Sequence, residues 1–468
     1  MTDNDKPDAV PPGGAPAPPL ATRGIDWGHI LRALKHRNYA LFFAGQGVSQ
    51  FGTWMQHAGQ LWLVYRLTGR KDAVGELAFL SQLPSFLLFP LAGVIGDRWN
   101  RRTMITIFQS LAALQALALA AVVFLGIVQF WHVVALGMIG GIIRSFEIPI
   151  RQSFVVEMLE DRRDLPGAIA LNSLLMNAAF VIGPSLAGLA IYLWKDYGNE
   201  APCFLINAVS FAAVIAALLA MKMKPFVRAP VRSSPLQSFL EGLRYTARHK
   251  QIRQAILYLG FTALVAVQYT TLMPVLAKDV LHGDERTQGF LLSAAGVGAM
   301  LGALFIASQR SPAGLHRLMT VGGAVFGIGL IALSQSVAMG RWLTEILATT
   351  GFGHWATDAL ASAGLRVSWE GAALWVSVAL LVFLGAGRMV QMAATNTYVQ
   401  TLVDDDKRSR VMAFHSLAFM GVAPIGALMM GKIAQTRLDA PGTFLVAGAA
   451  CLIGSIAFAG HLPKVLKP

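Results

Sequence analysis

Charge is scarce in this chain. Only 13% of its 468 residues are Asp, Glu, Lys or Arg while 55% are hydrophobic, and a soluble domain carries about 25% charged residues. That shortage excludes an ordinary water-soluble globule and leaves a polytopic membrane protein. Cysteine is nearly absent too. Cys203 and Cys451 are the two present, both inside apolar runs, which excludes a disulfide framework and a thiolate metal site. No Ser–His–Asp set, metal cluster or paired-carboxylate site stands out, so the chain reads as a non-enzyme with no catalytic residues, no metal and no cofactor. The formal net charge of +13 is spread in short clusters between apolar runs. With no basic helix and no aromatic RNA-reading strand, nucleic acid is excluded as a partner. "GALMMGK" at 426–432 has the spacing of a phosphate-binding loop, but Ile433 follows where Ser or Thr belongs, and the run is apolar. "GVGAMLG" at 296–302 reads as a small-residue packing face. Nucleotide hydrolysis is therefore excluded as an energy source.

What the chain has is a succession of apolar runs, each long enough to cross about 30 Å of hydrocarbon as a helix. They lie at 39–66, 73–95, 103–127, 131–152, 170–194, 201–221, 254–276, 287–308, 315–337, 372–396, 411–434 and 441–461. Twelve spans put both termini on one side. With the N-terminus cytoplasmic, and residues at span ends counted with the adjoining segment, 26 Lys/Arg fall on cytoplasmic segments and 10 on the opposite loops, Arg144 and Arg388 being left within spans. The positive-inside rule favours that orientation. Residues 1–38, rich in Pro, Gly and Ala, lack the pattern of a secretory signal and read as a disordered cytoplasmic tail. The expected domains are a six-helix bundle at 39–221, a cytoplasmic loop at 222–253, a second bundle at 254–461 with an external insertion at 338–371, and a cytoplasmic tail at 462–468. The central loop holds eight Lys/Arg, and "SFLEGLRYTARH" within it reads as an amphipathic helix on the membrane surface. The insertion reads as one or two short helices on the outer surface.

The halves repeat. A shift of 244 positions carries span four, "GGIIRSFEIPIRQSFVVEML", onto span ten, "GAGRMVQMAATNTYVQTLV". It sets Arg144 on Arg388, Glu147 on Gln391, Gln152 on Asn396, Phe154 on Tyr398 and Val155 on Val399. "FVIGPSLAGL" and "MGVAPIGALM" likewise bring Pro184 against Pro424. Two six-helix units in one orientation are the form of parallel transporter repeats, with a binding site between them near the midplane.

Four charges crowd the turn between spans two and three, "LAGVIGDRWNRRTM" at 91–104. Gly93, Asp97, Arg98, Arg101 and Arg102 resemble the signature loop of the major facilitator superfamily, G-x-x-x-D-R-x-G-R-R. Asn100 stands where the second glycine is usual, a residue that tolerates a left-handed turn. "FGTWMQHAGQLWLVYRLTG", "FEIPIRQSFVVEML", "FLINAVSF" and "RSRVMAFHSLAFMGVAPIGALMMG" extend the likeness to the enterobactin-exporter-like branch, which includes siderophore and drug efflux proteins. The resemblance implies an all-α polytopic membrane protein of the major facilitator fold, with twelve transmembrane helices in two six-helix pseudo-repeats. It also implies bundles that rock around a central cavity, driven by an ion gradient, with the Asp97 loop latching the cytoplasmic side.

Arg144 lies about a dozen residues into its span, roughly 18 Å deep. A charge there costs about 2.5–3.5 kcal/mol, so a watery cavity or a partner is expected. Glu147 follows on the same helical face. The two are read either as a structural ion pair or as a proton-carrying carboxylate and the cation that tunes it. Arg388 lacks an equally close acid and is a candidate to attract an anionic substrate. Gln391, Gln56, His57 and Gln268 are further cavity candidates, with interhelical hydrogen bonding as the alternative. Gly183, Pro184 and Gly188 in "NAAFVIGPSLAGL" partly resemble the span-five helix-bending and packing motif of exporting branches, with Ala179 in place of one usual glycine. The expected protein is a proton antiporter that exports a small organic molecule, an anionic siderophore being one candidate, through a bacterial inner membrane. Its partners are that molecule, protons and the lipid bilayer, and it works as a monomer. The alternatives are a multidrug pump of the same fold or a sensor that has kept the fold without transport.

Overall fold

The computed structural model describes residues 28, 31–96, 99–196, 199–223, 235–309, 314–350, 368–404 and 407–461. No strand occurs among the described residues. Among the described residues ten helices are long and apolar enough to cross a membrane, from Arg101–Phe124 to Asp439–Ala459. Two further long helices, Arg37–Thr68 and Lys71–Gly96, precede them. The first is made less apolar by Gln46, Gln50, Gln56 and Gln60, all buried. Numbered in chain order after the twelve spans expected from the sequence, these elements are Arg37–Thr68, Lys71–Gly96, Arg101–Phe124, Phe130–Glu157, Leu165–Leu193, Ala201–Ala220, Lys250–Val280, Glu285–Ala307, Leu315–Ser334, Trp369–Leu402, Arg410–Ala434 and Asp439–Ala459.

Packing repeats with the sequence. Span two packs on four, three on four, and three on six; six spans later, eight packs on ten, nine on ten, and nine on twelve. The halves meet where span five crosses eight and span two crosses eleven. With lipid as apolar as the helices themselves, such crossings depend on close van der Waals fit, and small residues supply it. Gly289 lies against the Pro184 carbonyl and Gly188 against that of Glu285, while Gly75 and Gly431 face each other with almost no side chain between.

Polar contacts between the halves gather at the same end, the face away from both termini. The Tyr65 hydroxyl donates to Asp279. The Lys71 backbone N–H donates to Gln435 Oε1 at 2.9 Å and its Nζ to Asp439 Oδ1 at 2.6 Å. The Ser185 and Ser293 hydroxyls are 2.7 Å apart, and Gln288 Nε2 donates to the Ala58 carbonyl at 3.0 Å. These bonds and the glycine crossings seal the far face.

Two spans are broken, and one is unusually long. Span seven is α-helical to Val265, turns to a 3₁₀ stretch over Val267–Leu272 and ends in a π turn at Leu276–Val280. Gln268 sits at φ −84°, ψ 16° within it. Pro274 has no N–H to give to the preceding turn, which fixes the break here. Span eleven is two segments, Arg408–Met420 and Ala423–Ala434, parted before Pro424 for the same reason. Span ten runs 34 residues, because Ser368 caps its start (Oγ accepts from Gly371 N at 3.1 Å) and the polar stretch beyond Asn396 stays helical.

A strongly amphipathic helix does form in the central loop, at Pro235–Arg248. It packs on the start of span eleven rather than standing alone: Arg410 pairs with Glu241, and the Tyr245 hydroxyl donates to Asp404 Oδ2 at 2.9 Å. A helix Ser336–Thr349 opens the 338–371 insertion, whose residues 351–367 lie outside the described residues. So do most of the 1–38 tail and all of 462–468.

Candidate functional site

Span four is positioned by its glycines. Gly137 and Gly141 bring its backbone against Ser81 of span two, and Ser85 Oγ donates to the Gly141 carbonyl at 3.0 Å. That contact fixes the helix against span two; Arg144, seven residues after Gly137, follows on the same side, and Glu147 turns about a quarter of the way round from it.

Glu147 is buried, and its partner is not Arg144. Arg151, one turn further on, places Nε 3.1 Å from Glu147 Oε1, and Gln109 Nε2 of span three donates to the same oxygen at 3.3 Å. The expected Arg144–Glu147 pair is thus replaced by an i,i+4 pair, a spacing at which side chains on a helix meet directly. Arg151 Nη1 and Gln109 Oε1 are buried without partners. The signal was present in "EIPIR", but the position of Arg151 towards the helix end gave it the look of a boundary cation. At the positions 244 further on, the second half has Gln391 and Thr395, both buried and neither titratable.

Arg144 itself is exposed in mid-span, with Nη1 near Gly140, and lies within electrostatic range of Glu147 and of His57 on span one. His57 is exposed as well. From there an aromatic series runs across the molecule. The His57 and Trp54 rings are 5.8 Å apart, Trp54 and Phe180 of span five 4.6 Å apart, and the Arg388 guanidinium carbon lies 6.0 Å from the Phe180 ring centre. Arg388 belongs to span ten, so the series joins the halves. It is also within electrostatic range of Tyr269, a buried hydroxyl with no partner in the broken part of span seven. Two arginines at matched positions thus flank a set of aromatic faces. Sequence reasoning missed Trp54 and Phe180, whose spacing is indistinguishable from ordinary packing residues.

Two cavity candidates prove to be internal ties. Gln56 is buried, its Nε2 donating to Gln115 Oε1 at 3.1 Å and its Oε1 accepting from Asn207 Nδ2 at 2.7 Å. Gln391 is 1% exposed, and its Nε2 donates to Thr262 Oγ1 at 2.9 Å. Their amides are spent on neighbouring helices because a buried polar group without a partner costs stability. Gln268 is half-buried at the span-seven break. Gly183 faces Trp54 and the Phe51 carbonyl, and with Pro184 and Gly188 lies along the span-five crossings.

Of the signature loop, Gly93 lies in the last helical turns of span two, and Asp97 and Arg98 lie outside the described residues. Arg101 pairs with Glu157, and Arg102 Nη2 donates to the Leu219 carbonyl at 3.1 Å. Asn100 is extended (φ −62°, ψ 116°), not left-handed, because it caps span three: its Oδ1 accepts from Thr103 N at 3.2 Å. Among the described residues no group of three or more His, Cys, Asp or Glu is placed to hold a metal.

The chain matches a family profile described as "transmembrane secretion effector" over residues 30–368. It belongs to that family, within the major facilitator superfamily. The staphyloferrin A transporter of Staphylococcus aureus is 24% identical over 296 residues, 62% of this chain and 72% of that protein. Macrolide efflux protein A of Streptococcus pyogenes is 22% identical over 312 residues, 63% and 73% of the two. Among solved structures, a bacterial homologue of the iron transporter ferroportin in its inward-facing state superposes with a TM-score of 0.64 at 16% identity, covering 92% of this chain and 99% of that one. The nucleoside transporter NupG gives 0.64 at 14% identity, covering 92% and 100%. This family member is therefore a membrane transporter by kinship, with the superfamily's fold.

Proposed function

We propose that this transporter exports a small anionic organic molecule, of the siderophore kind, from the cytoplasm in exchange for protons. The observation that carries the reading is the pair Arg144 and Arg388, one from each half, flanking Trp54, Phe180 and Tyr269. A bound anion draws both arginines together, and its conjugated or apolar part rests on the aromatic faces. Likeness to a staphyloferrin A transporter supports a siderophore. Glu147 is the proton carrier in this reading, its charge held by Arg151 and Gln109 until a proton replaces them. The sealed face is then the external one, both termini are cytoplasmic, and the membrane is the bacterial inner membrane. A single chain holds the whole route. The Asp97 loop would close the cytoplasmic side.

The test is mass spectrometry of secreted and intracellular metabolites from a deletion strain and its complemented partner, iron-starved and iron-replete. One compound lost from the medium and accumulated inside supports export and identifies the substrate; no change under either condition refutes the siderophore reading. A second reading, efflux of bulky lipophilic drugs, is favoured by the aromatic series and by likeness to macrolide efflux proteins. Drug susceptibility of the same strains separates the two. A sensor that has lost transport would leave both assays unmoved.

A further inference from the structure

A cavity lies between the halves, apart from the arginines. It has a volume of about 490 Å³ and is walled by Phe79 and Phe86 of span two, Ile256 of span seven, and Phe414, Leu417 and Ile425 of span eleven. That size is within the about 300–1,000 Å³ typical of ligand sites. No lining side chain bears a hydrogen-bonding group. Water held there lacks the two to four polar partners that an ordered buried water requires, and an empty void of this size is foreign to close-packed interiors. Something apolar belongs in it.

Its position says what. Phe86 is ten residues short of the end of span two at Gly96, and Phe414 six residues beyond the start of the helix at Arg408. At 1.5 Å per residue these depths are about 15 Å and about 9 Å, while Phe79 and Ile425, each 17 residues in, lie at about 25 Å, so the cavity runs through the middle of the about 30 Å of hydrocarbon. The rim is open: Phe86 is 37% exposed, its neighbour Leu87 59% and Ile425 47%. Apolar where the exposed Arg144 and His57 are polar, these side chains suit a rim that opens to the bilayer interior. An anionic substrate finds no partner in it.

We propose that this pocket holds an acyl chain of a bilayer phospholipid, entering between spans two and eleven. Both halves form the wall, and the Phe86 ring lies against Gly421 across the interface. Relative movement of the halves therefore alters the pocket's volume, so occupancy is linked to conformation. That linkage rests on the transport reading above; occupancy does not.

The test uses the full chain in phosphatidylcholine nanodiscs whose lipid carries a diazirine midway along one acyl chain. After photolysis and digestion, adducts are mapped by mass spectrometry. The expected result is stronger labelling of segments 79–86 and 414–425 than of the stretch around Trp375, which is 72% exposed on span ten. Ala418→Phe and, separately, Leu83→Trp fill the pocket and are expected to abolish its adducts while sparing those near Trp375. Pocket labelling no stronger than at Trp375 overturns the proposal. So does labelling that survives both substitutions, or labelling by a water-soluble carbene reagent in place of the lipid. Displacement of the adducts by the exported compound, with lipid labelling elsewhere unchanged, makes the pocket a substrate path and also overturns it. If neither variant folds, the comparison within the unmodified protein still decides. Because labelling needs no transport, a transport-inactive chain that labels as expected refutes the export reading and leaves this one standing.

Discussion

Replacing Arg151 by Gln removes the cation from a buried carboxylate and leaves Glu147 with Gln109 alone. Breaking one side of a buried ion pair costs about 3–5 kcal/mol. Each partner's side chain retains 11% exposure here, so the lower end, about 3 kcal/mol, is the appropriate figure. Unfolding entropy near 2.1 cal/mol/K per residue makes 1 kcal/mol worth about 1 °C in a chain of this length, and the expected loss of Tm is about 3 °C. The protein carries its own reporter. Cys203 and Cys451 are both 0% exposed, so a thiol-reactive fluorophore lights up as the bundles open. The double variant Glu147→Gln with Arg151→Gln is expected to recover most of the loss, since two neutral amides replace the stranded charge. A Tm for Arg151→Gln within experimental error of the parent refutes the reasoning, and so does a double variant no more stable than the single one. Either result means that Glu147 does not depend on Arg151 in the folded protein.

Three other outcomes are expected. Glu147→Gln abolishes uphill transport in proteoliposomes while counterflow of substrate persists; survival of both assigns the proton to another group. Arg388→Gln weakens binding of an anionic substrate by about 1.5–3 kcal/mol, roughly 10- to 150-fold, as expected for losing a charged hydrogen-bond partner, and radioligand binding reads it directly. Gly75→Leu forces bulk where an added Cβ already meets the Ala427 carbonyl at 2.6 Å. Overpacking of about 1–3 kcal/mol opens the far face, so a cysteine placed at Ser293 reacts faster with an impermeant thiol reagent, and unchanged reactivity counts against that face being a closed gate.

The positions of the spans were legible because about 20 apolar residues are needed to cross a bilayer and nothing else in the chain looks like that. Breaks were harder. Pro274 and Pro424 mark them, yet Pro149 and Pro184 sit inside continuous helices, so proline alone does not say which span gives way. At the site, the repeat pointed to Arg144 and Arg388 because a mid-membrane cation is rare enough to be informative. The glutamines stayed open between cavity and interhelical bond, since an amide tied to Thr262 and an amide facing water are the same letter. The central-loop helix was legible from its amphipathic pattern, but its contact with span eleven depends on Glu241 and Tyr245 meeting residues some 160 positions away, which no local pattern records.

The two halves share a plan but no longer share a chemistry. At one level the first bundle holds Glu147 and Arg151, and the second holds Gln391 and Thr395 in the corresponding places. A hypothetical molecule assembled from two copies of the second bundle would have no acid at this level and nothing there for a proton gradient to act on. One assembled from two copies of the first would carry two acids and two ways to be half-protonated. If export is exchanged for protons as proposed, keeping the pair in a single copy gives the machine one ratchet tooth, and with it one unambiguous charge state for each stroke.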